Sequence, residues 1–88
     1  MPRIEFNRYL ELDKWIHYMR AKNKEYVAYI TANDELILIP TTSTAPIICG
    51  YCANIEQETA LKLVHKHYLK FFKIERFEWK SETMVKKE

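Results

Sequence analysis

Leu12, Trp15, Ile16 and Met19 fall at i, i+3, i+4 and i+7, the apolar stripe of an amphipathic helix. The pattern predicts a helix over 12–22, ending near Asn23, with Asp13, His17 and Arg20 on its opposite face. Ahead of it, Ile4 and Phe6 alternate with Glu5 and Asn7, a short strand. After it, EYVAYIT (25–31) and ELILIP (35–40) are rich in β-branched and aromatic residues. Ala32-Asn33-Asp34 supplies the turn between them, so the two runs read as a hairpin.

Leu36 to Ile39 are apolar without alternation, the mark of a strand covered on both faces. Two helices can cover only one face of a small sheet. The second face is therefore expected to meet a second copy of the chain, giving a homodimer through the sheet. Ile47 to Cys52 is a third strand candidate. Asn54 then reads as an N-cap, with Gln57 three residues on as its capping-box partner. A helix over 55–73 follows, in which Ala60, Leu61, Val64, Tyr68, Phe71 and Phe72 fill one arc of roughly 120°. Phe77 and Trp79 alternate with Arg76, Glu78 and Lys80, a final strand, and SETMVKKE (81–88) is a polar tail to a single domain over 1–80.

The order β-α-β-β-β-α-β points to a two-layer α+β domain: an antiparallel sheet of three to five strands with two helices on one face. Its inner part, α-β-β-β-α, shares the element order of double-stranded-RNA-binding domains. With the outer strands it is similar to a ferredoxin-like β-α-β-β-α-β with one strand added. Glu56 and Glu58 stand where the RNA-binding family carries lysines, and order alone does not carry function.

Composition narrows the choice. The chain has 88 residues, 48% hydrophobic and 14% aromatic, enough to fold around one modest core. No apolar run approaches ~18 residues, which excludes a membrane span. The first residues carry charges and no apolar h-region, so an intracellular, cytoplasmic setting is expected, where thiols stay reduced. The net charge of +2 divides into −2 over 1–61 and +4 over 62–88. A single glycine leaves no room for the P-loop or the dinucleotide fingerprint, which use several to let the backbone approach phosphate. PTTSTAP (40–46) offers hydroxyls on a surface loop, and no cofactor is implied.

Both cysteines lie in Cys49-Gly50-Tyr51-Cys52. STAPIICGYC resembles the approach to a thioredoxin or glutaredoxin active site, with a likeness that covers about 43–72. That resemblance implies Cys49 as nucleophile and Cys52 as resolving thiol, with Cys49 activated by a helix N-terminus. The residues themselves point elsewhere. A cap at Asn54 starts the helix beyond both sulfurs, and on a strand two positions three apart face opposite sides. No proline follows to supply the cis-proline of that fold. Buried thiols acting as small hydrophobes fit better, and Gly50 marks a bulge or a tight approach. A zinc reading, Cys49-x2-Cys52-x12-His65-x1-His67, fails on geometry, since two histidines two apart on a helix sit about 200° around it.

Lys62, Lys66, Lys70 and Lys73 fall at i, i+4, i+8 and i+11, within about 80° of one another on the expected helix. Such a row can follow phosphates or an acidic protein face. A solvated helix back is the plainer alternative, but the lysines lie at mutually repulsive spacing. Asp13 and His17, at i and i+4, could pair as an acid-oriented base or as a surface ion pair. Tyr26 and Tyr29 point to opposite sides of their strand, so one could meet a partner, with core packing the plainer reading. The expected function is a non-enzymatic binding or regulatory module for an acidic protein surface or nucleic acid, working through Lys62, Lys66, Lys70 and Lys73. The alternative is a thiol–disulfide oxidoreductase using Cys49 and Cys52.

Overall fold

Two β-rich runs joined by Ala32-Asn33-Asp34 build the centre of the molecule. In the structure, a computed structural model that describes residues 3–22, 25–41 and 48–79, β2 (Tyr26–Thr31) and β3 (Leu36–Pro40) pair antiparallel, Ala28 opposite Leu38. Asp34 takes a left-handed conformation, φ 62°, which closes a three-residue hairpin loop and which Asp tolerates better than most residues. The buried Thr31 hydroxyl donates to Glu35 Oε1 at 3.1 Å and accepts the Asn33 and Glu35 backbone N–H groups at 3.2 Å. Gln57 Nε2 donates to the Thr31 carbonyl at 2.6 Å, tying the turn to the start of the second helix.

Around the hairpin lie β1 (Arg3–Phe6), α1 (Tyr9–Ala21), β4 (Cys49–Cys52), α2 (Gln57–Lys66) and β5 (Lys70–Ile74). The chain is a small α+β domain with the expected element order, and its sheet runs β1-β4-β3-β2-β5. The sheet is mixed rather than antiparallel: β1 lies parallel to β4, and β5 parallel to β2. Each of these parallel pairs is joined through intervening elements that include a helix, the kind of connection parallel strands need.

One sheet face carries the core. Phe6, Tyr26, Ala28, Ile30, Leu36, Leu38 and Cys52 meet Leu12 and Ile16 of α1 and Ala60, Leu63 and Val64 of α2 in one cluster. Trp15 packs between Phe6 and Tyr26, ring centroids 5.4 and 5.1 Å away. Both helices therefore sit on one face, as the apolar stripes require.

The second helix differs from its expected span. It begins at Gln57, after Glu56, and Asn54 is a left-handed loop residue (φ 60°) rather than the cap. It ends at Lys66 instead of residue 73. Tyr68 N–H donates to the His65 carbonyl and Leu69 N–H to the Val64 carbonyl, with Tyr68 at φ 56°. That is a Schellman stop, with tyrosine where glycine is usual and Leu69 buried beneath it. Lys70 to Ile74 then form an edge strand. Segment 75–79, expected to hold the last strand, is irregular.

The face away from the helices is occupied by the chain itself. Tyr51, Ile37, Tyr29 and Phe72 share one cross-strand row there. Phe77 lies 6.4 Å from Tyr29, Trp79 lies 6.2 Å from Tyr51, and the Phe77 and Trp79 rings are 4.9 Å apart. The Arg3 guanidinium stands over Trp79 and Tyr51, 4.6 and 5.5 Å from the ring centroids. Ile37 is wholly buried within one chain, which removes the reason for a second subunit on this face. The first helix ends at Ala21, close to the end expected near Asn23; of the loop expected at 40–46, Pro40 closes β3 and residues 42–46 lie outside the described residues, as does the tail 81–88.

Candidate functional site

The two cysteines are buried thiols on opposite sheet faces. Cys52 shares the helix side with Phe6 and Leu36, its partners in register, whereas Cys49 shares the far side with Arg3. Burial pushes the Cys49 thiol up to about 11 and raises that of Cys52 as well. Neither sulfur belongs to the first turn of α2, and a disulfide between them would need the backbone to move. The arrangement is the reverse of an activated thiolate pair. Gly50 is in regular register with Ile4 and Leu38, so it marks a tight approach and not a bulge.

The zinc spacing is not gathered either. His65 is exposed, its ring 5.9 Å from that of Phe71, and His67 is buried against Asp13. Asp13 turns both oxygens to the end of α2 rather than to His17. Its Oδ1 accepts from His67 Nε2 at 2.7 Å and its Oδ2 from Lys66 Nζ at 2.9 Å. A carboxylate only accepts, so Nε2 is the protonated ring nitrogen in this pair. The hydrogen bond from His67, then that from Lys66, holds the Asp13 carboxyl below its ordinary value, and the same link raises Lys66. Lys14 and His17 line the same shallow pocket. With its acid already committed, this group serves as a clasp between α1 and the end of α2.

The early stop of α2 splits the lysine row. Lys62 and Lys66 remain on the helix, and Lys70 and Lys73 stand on edge strand β5. All four are exposed. Edge lysines also discourage strand addition by other chains, which is a sufficient structural reason for the last two. The stretch contains something more, though. No acidic residue occurs between Glu58 and Glu75, and two large rings in it face solvent: Tyr68, 85% exposed, and Phe72, 55% exposed. Phe72 is also stacked on Tyr29 with centroids 5.8 Å apart and planes 26° apart, so it is an exposed ring with a fixed orientation. Sequence reading assigned both rings to the helix core. The corrective signal was present: Ala60, Leu63, Val64 and His67 fall at i, i+3, i+4 and i+7, and these are the buried positions.

Cations spaced along an acid-free turn, interleaved with exposed rings, can pair with phosphates and stack on planar groups. Among the described residues no helix is long and apolar enough to cross a membrane. No family model, curated protein or solved structure matches the chain.

Proposed function

We propose that this chain is a non-enzymatic binding module for single-stranded nucleic acid. Its contact surface runs from α2 around the edge strand β5, where Lys70 and Phe72 lie on the face away from the helices and Lys73 on the helix side: Lys62, Lys66, Lys70 and Lys73 meet phosphates, and Tyr68 and Phe72 stack on bases. The observation that carries this reading is the pairing of four exposed lysines, of which Lys66 alone meets a carboxylate among the described residues, with two exposed rings in a stretch that contains no acid of its own. An acidic protein surface would use the lysines but gives no purpose to Phe72 held flat on Tyr29. Base stacking does, because every base offers a π face.

The test is fluorescence anisotropy with a short labelled oligothymidine. If all four lysines meet phosphates, log affinity should fall with log salt at a slope of about −3. Replacing Lys62, Lys70 and Lys73 with Glu spares the Lys66–Asp13 link, and should weaken binding by about two orders of magnitude or more. Unchanged affinity in that triple variant overturns the reading. So does labelled polyglutamate binding as tightly as the oligonucleotide, which would transfer the surface to an acidic polypeptide.

A further inference from the structure

We propose that the aromatic face opposite the helices is a second base-stacking surface, kept covered by segment 75–79 and opened when a single strand takes the place of Phe77 and Trp79. This rests on the nucleic-acid reading above and extends the contact surface from the edge strand across the sheet.

The covered row is Tyr51, Ile37, Tyr29 and Phe72, contributed by four adjacent strands. Its cover consists of two rings side by side, 4.9 Å apart at their centroids. Phe77 meets Tyr29 and Trp79 meets Tyr51, much as two successive bases would. Phe72 links the covered surface to the exposed one, because it stacks on Tyr29 while more than half exposed. Cations flank the row at both sheet edges: Lys70 shares its face on β5, and Arg3 on β1 stands over Trp79 and Tyr51. A guanidinium in that position can turn to a phosphate when the indole leaves.

The cover is weakly attached. Ala32 N–H donates to the Ile74 and Glu75 carbonyls. Past Glu75, among the described residues, the segment makes no backbone hydrogen bond to the sheet. The Arg76–Glu78 contact is internal to it. Among the described residues, the buried Trp79 Nε1 has no acceptor, a deficit that is relieved when the ring reaches water. A segment held beyond Glu75 by side chains alone among the described residues, with one buried donor unpaired there, has the properties of a low-stability unit. The acids nearest this face do not block it in the same way. Glu35 is held by the Thr31 and Tyr51 hydroxyls, the latter at 2.7 Å, and Glu5 pairs with Arg3 at 3.2 Å.

Two measurements on the full chain test this. In the first, Phe77→Ser/Trp79→Ser is compared with the unmodified chain for oligothymidine binding. Removing the competitor should tighten binding about tenfold or more, since apparent affinity is reduced by the fraction of molecules closed, and adding Tyr29→Ala should cancel the gain. In the second, the chain is labelled with 5-fluorotryptophan and its two resonances are assigned with Trp79→Phe. Saturating oligothymidine should move the Trp79 signal toward its solvent-exposed position and leave Trp15 in place. This measurement also decides the matter if the serine variant does not fold. Salt-dependent binding with an unmoved Trp79 signal and no gain in the serine variant overturns the inference and leaves the exposed surface standing. Absence of binding by both proteins overturns the nucleic-acid reading itself.

Discussion

Gly50 shows how a single position can carry two readings. As the only glycine, it invited either a bulge beside two cysteines or a tight approach, and the second is the one found. Its role is spatial: a Cβ there would come within 2.7 Å of Trp15 Cζ3 and 3.1 Å of Cη2. The indole is held between Phe6 and Tyr26 and cannot withdraw cheaply. Gly50→Ala should therefore cost about 1–3 kcal/mol, read as a lower urea midpoint with an unchanged slope. The flanking thiols should resist iodoacetamide in the native chain at neutral pH and react once it is denatured, since at a value of about 11 only on the order of one Cys49 in ten thousand is thiolate. Rapid native alkylation would restore the oxidoreductase reading. Asp13 carries a pH signature. Its folded value lies below the ordinary 3.8, so the clasp stabilises fully above that pH and is lost as pH falls through the depressed value. Asp13→Ala should cost about 1–3 kcal/mol at neutral pH by leaving the buried His67 Nε2 without its acceptor, and should flatten this acid limb in a pH series of melting curves. The opposite faces of Cys49 and Cys52 were legible from strand periodicity. The Asp13–His67 contact was not, because it joins residues on two helices and no sequence spacing encodes it.

Among the elements, β1, α1 and the hairpin could be read from their periods to within a few residues. The second helix could not. Its apolar pattern continues past Lys66 because β5 is also apolar, and the stop signal at Tyr68 lacks the glycine that makes such stops visible. His67, buried at the end of the true stripe, looked polar in sequence and hid the i, i+3, i+4, i+7 run. Tyr68 holds a backbone conformation that costs an L-residue about 1–2 kcal/mol, and its ring, 85% exposed, recovers little of this through packing. Strain retained by an exposed aromatic is a reason to look for a use. Tyr68→Gly should raise stability by about 0.5–1 kcal/mol while weakening oligonucleotide binding. Opposite signs in thermal melts and in anisotropy would separate a contact residue from a poorly chosen cap.

At the scale of the whole molecule, the doubly apolar β3 was correctly read as covered on both faces, and the cover was assigned to the wrong source. A strand pattern reports that a face is dry, but not whether the same chain or another keeps it so. Because Phe77 and Trp79 fill that place, light scattering at high concentration is expected to give the mass of one chain. A dimer mass would mean that the cover is exchanged or supplemented between copies. The sheet order β1-β4-β3-β2-β5 also bears on how the chain is made. During synthesis β1 emerges first but has no neighbour until β4 follows, whereas β2 and β3 can pair as soon as they leave the ribosome. Loop-closure entropy favours that local pairing, so the central hairpin is expected to act as the template on which both outer strands later dock. The contact between Arg3 and Trp79 closes only after every strand and helix between them is out, so the indole of Trp79 is a natural reporter for a late step in the folding of this domain.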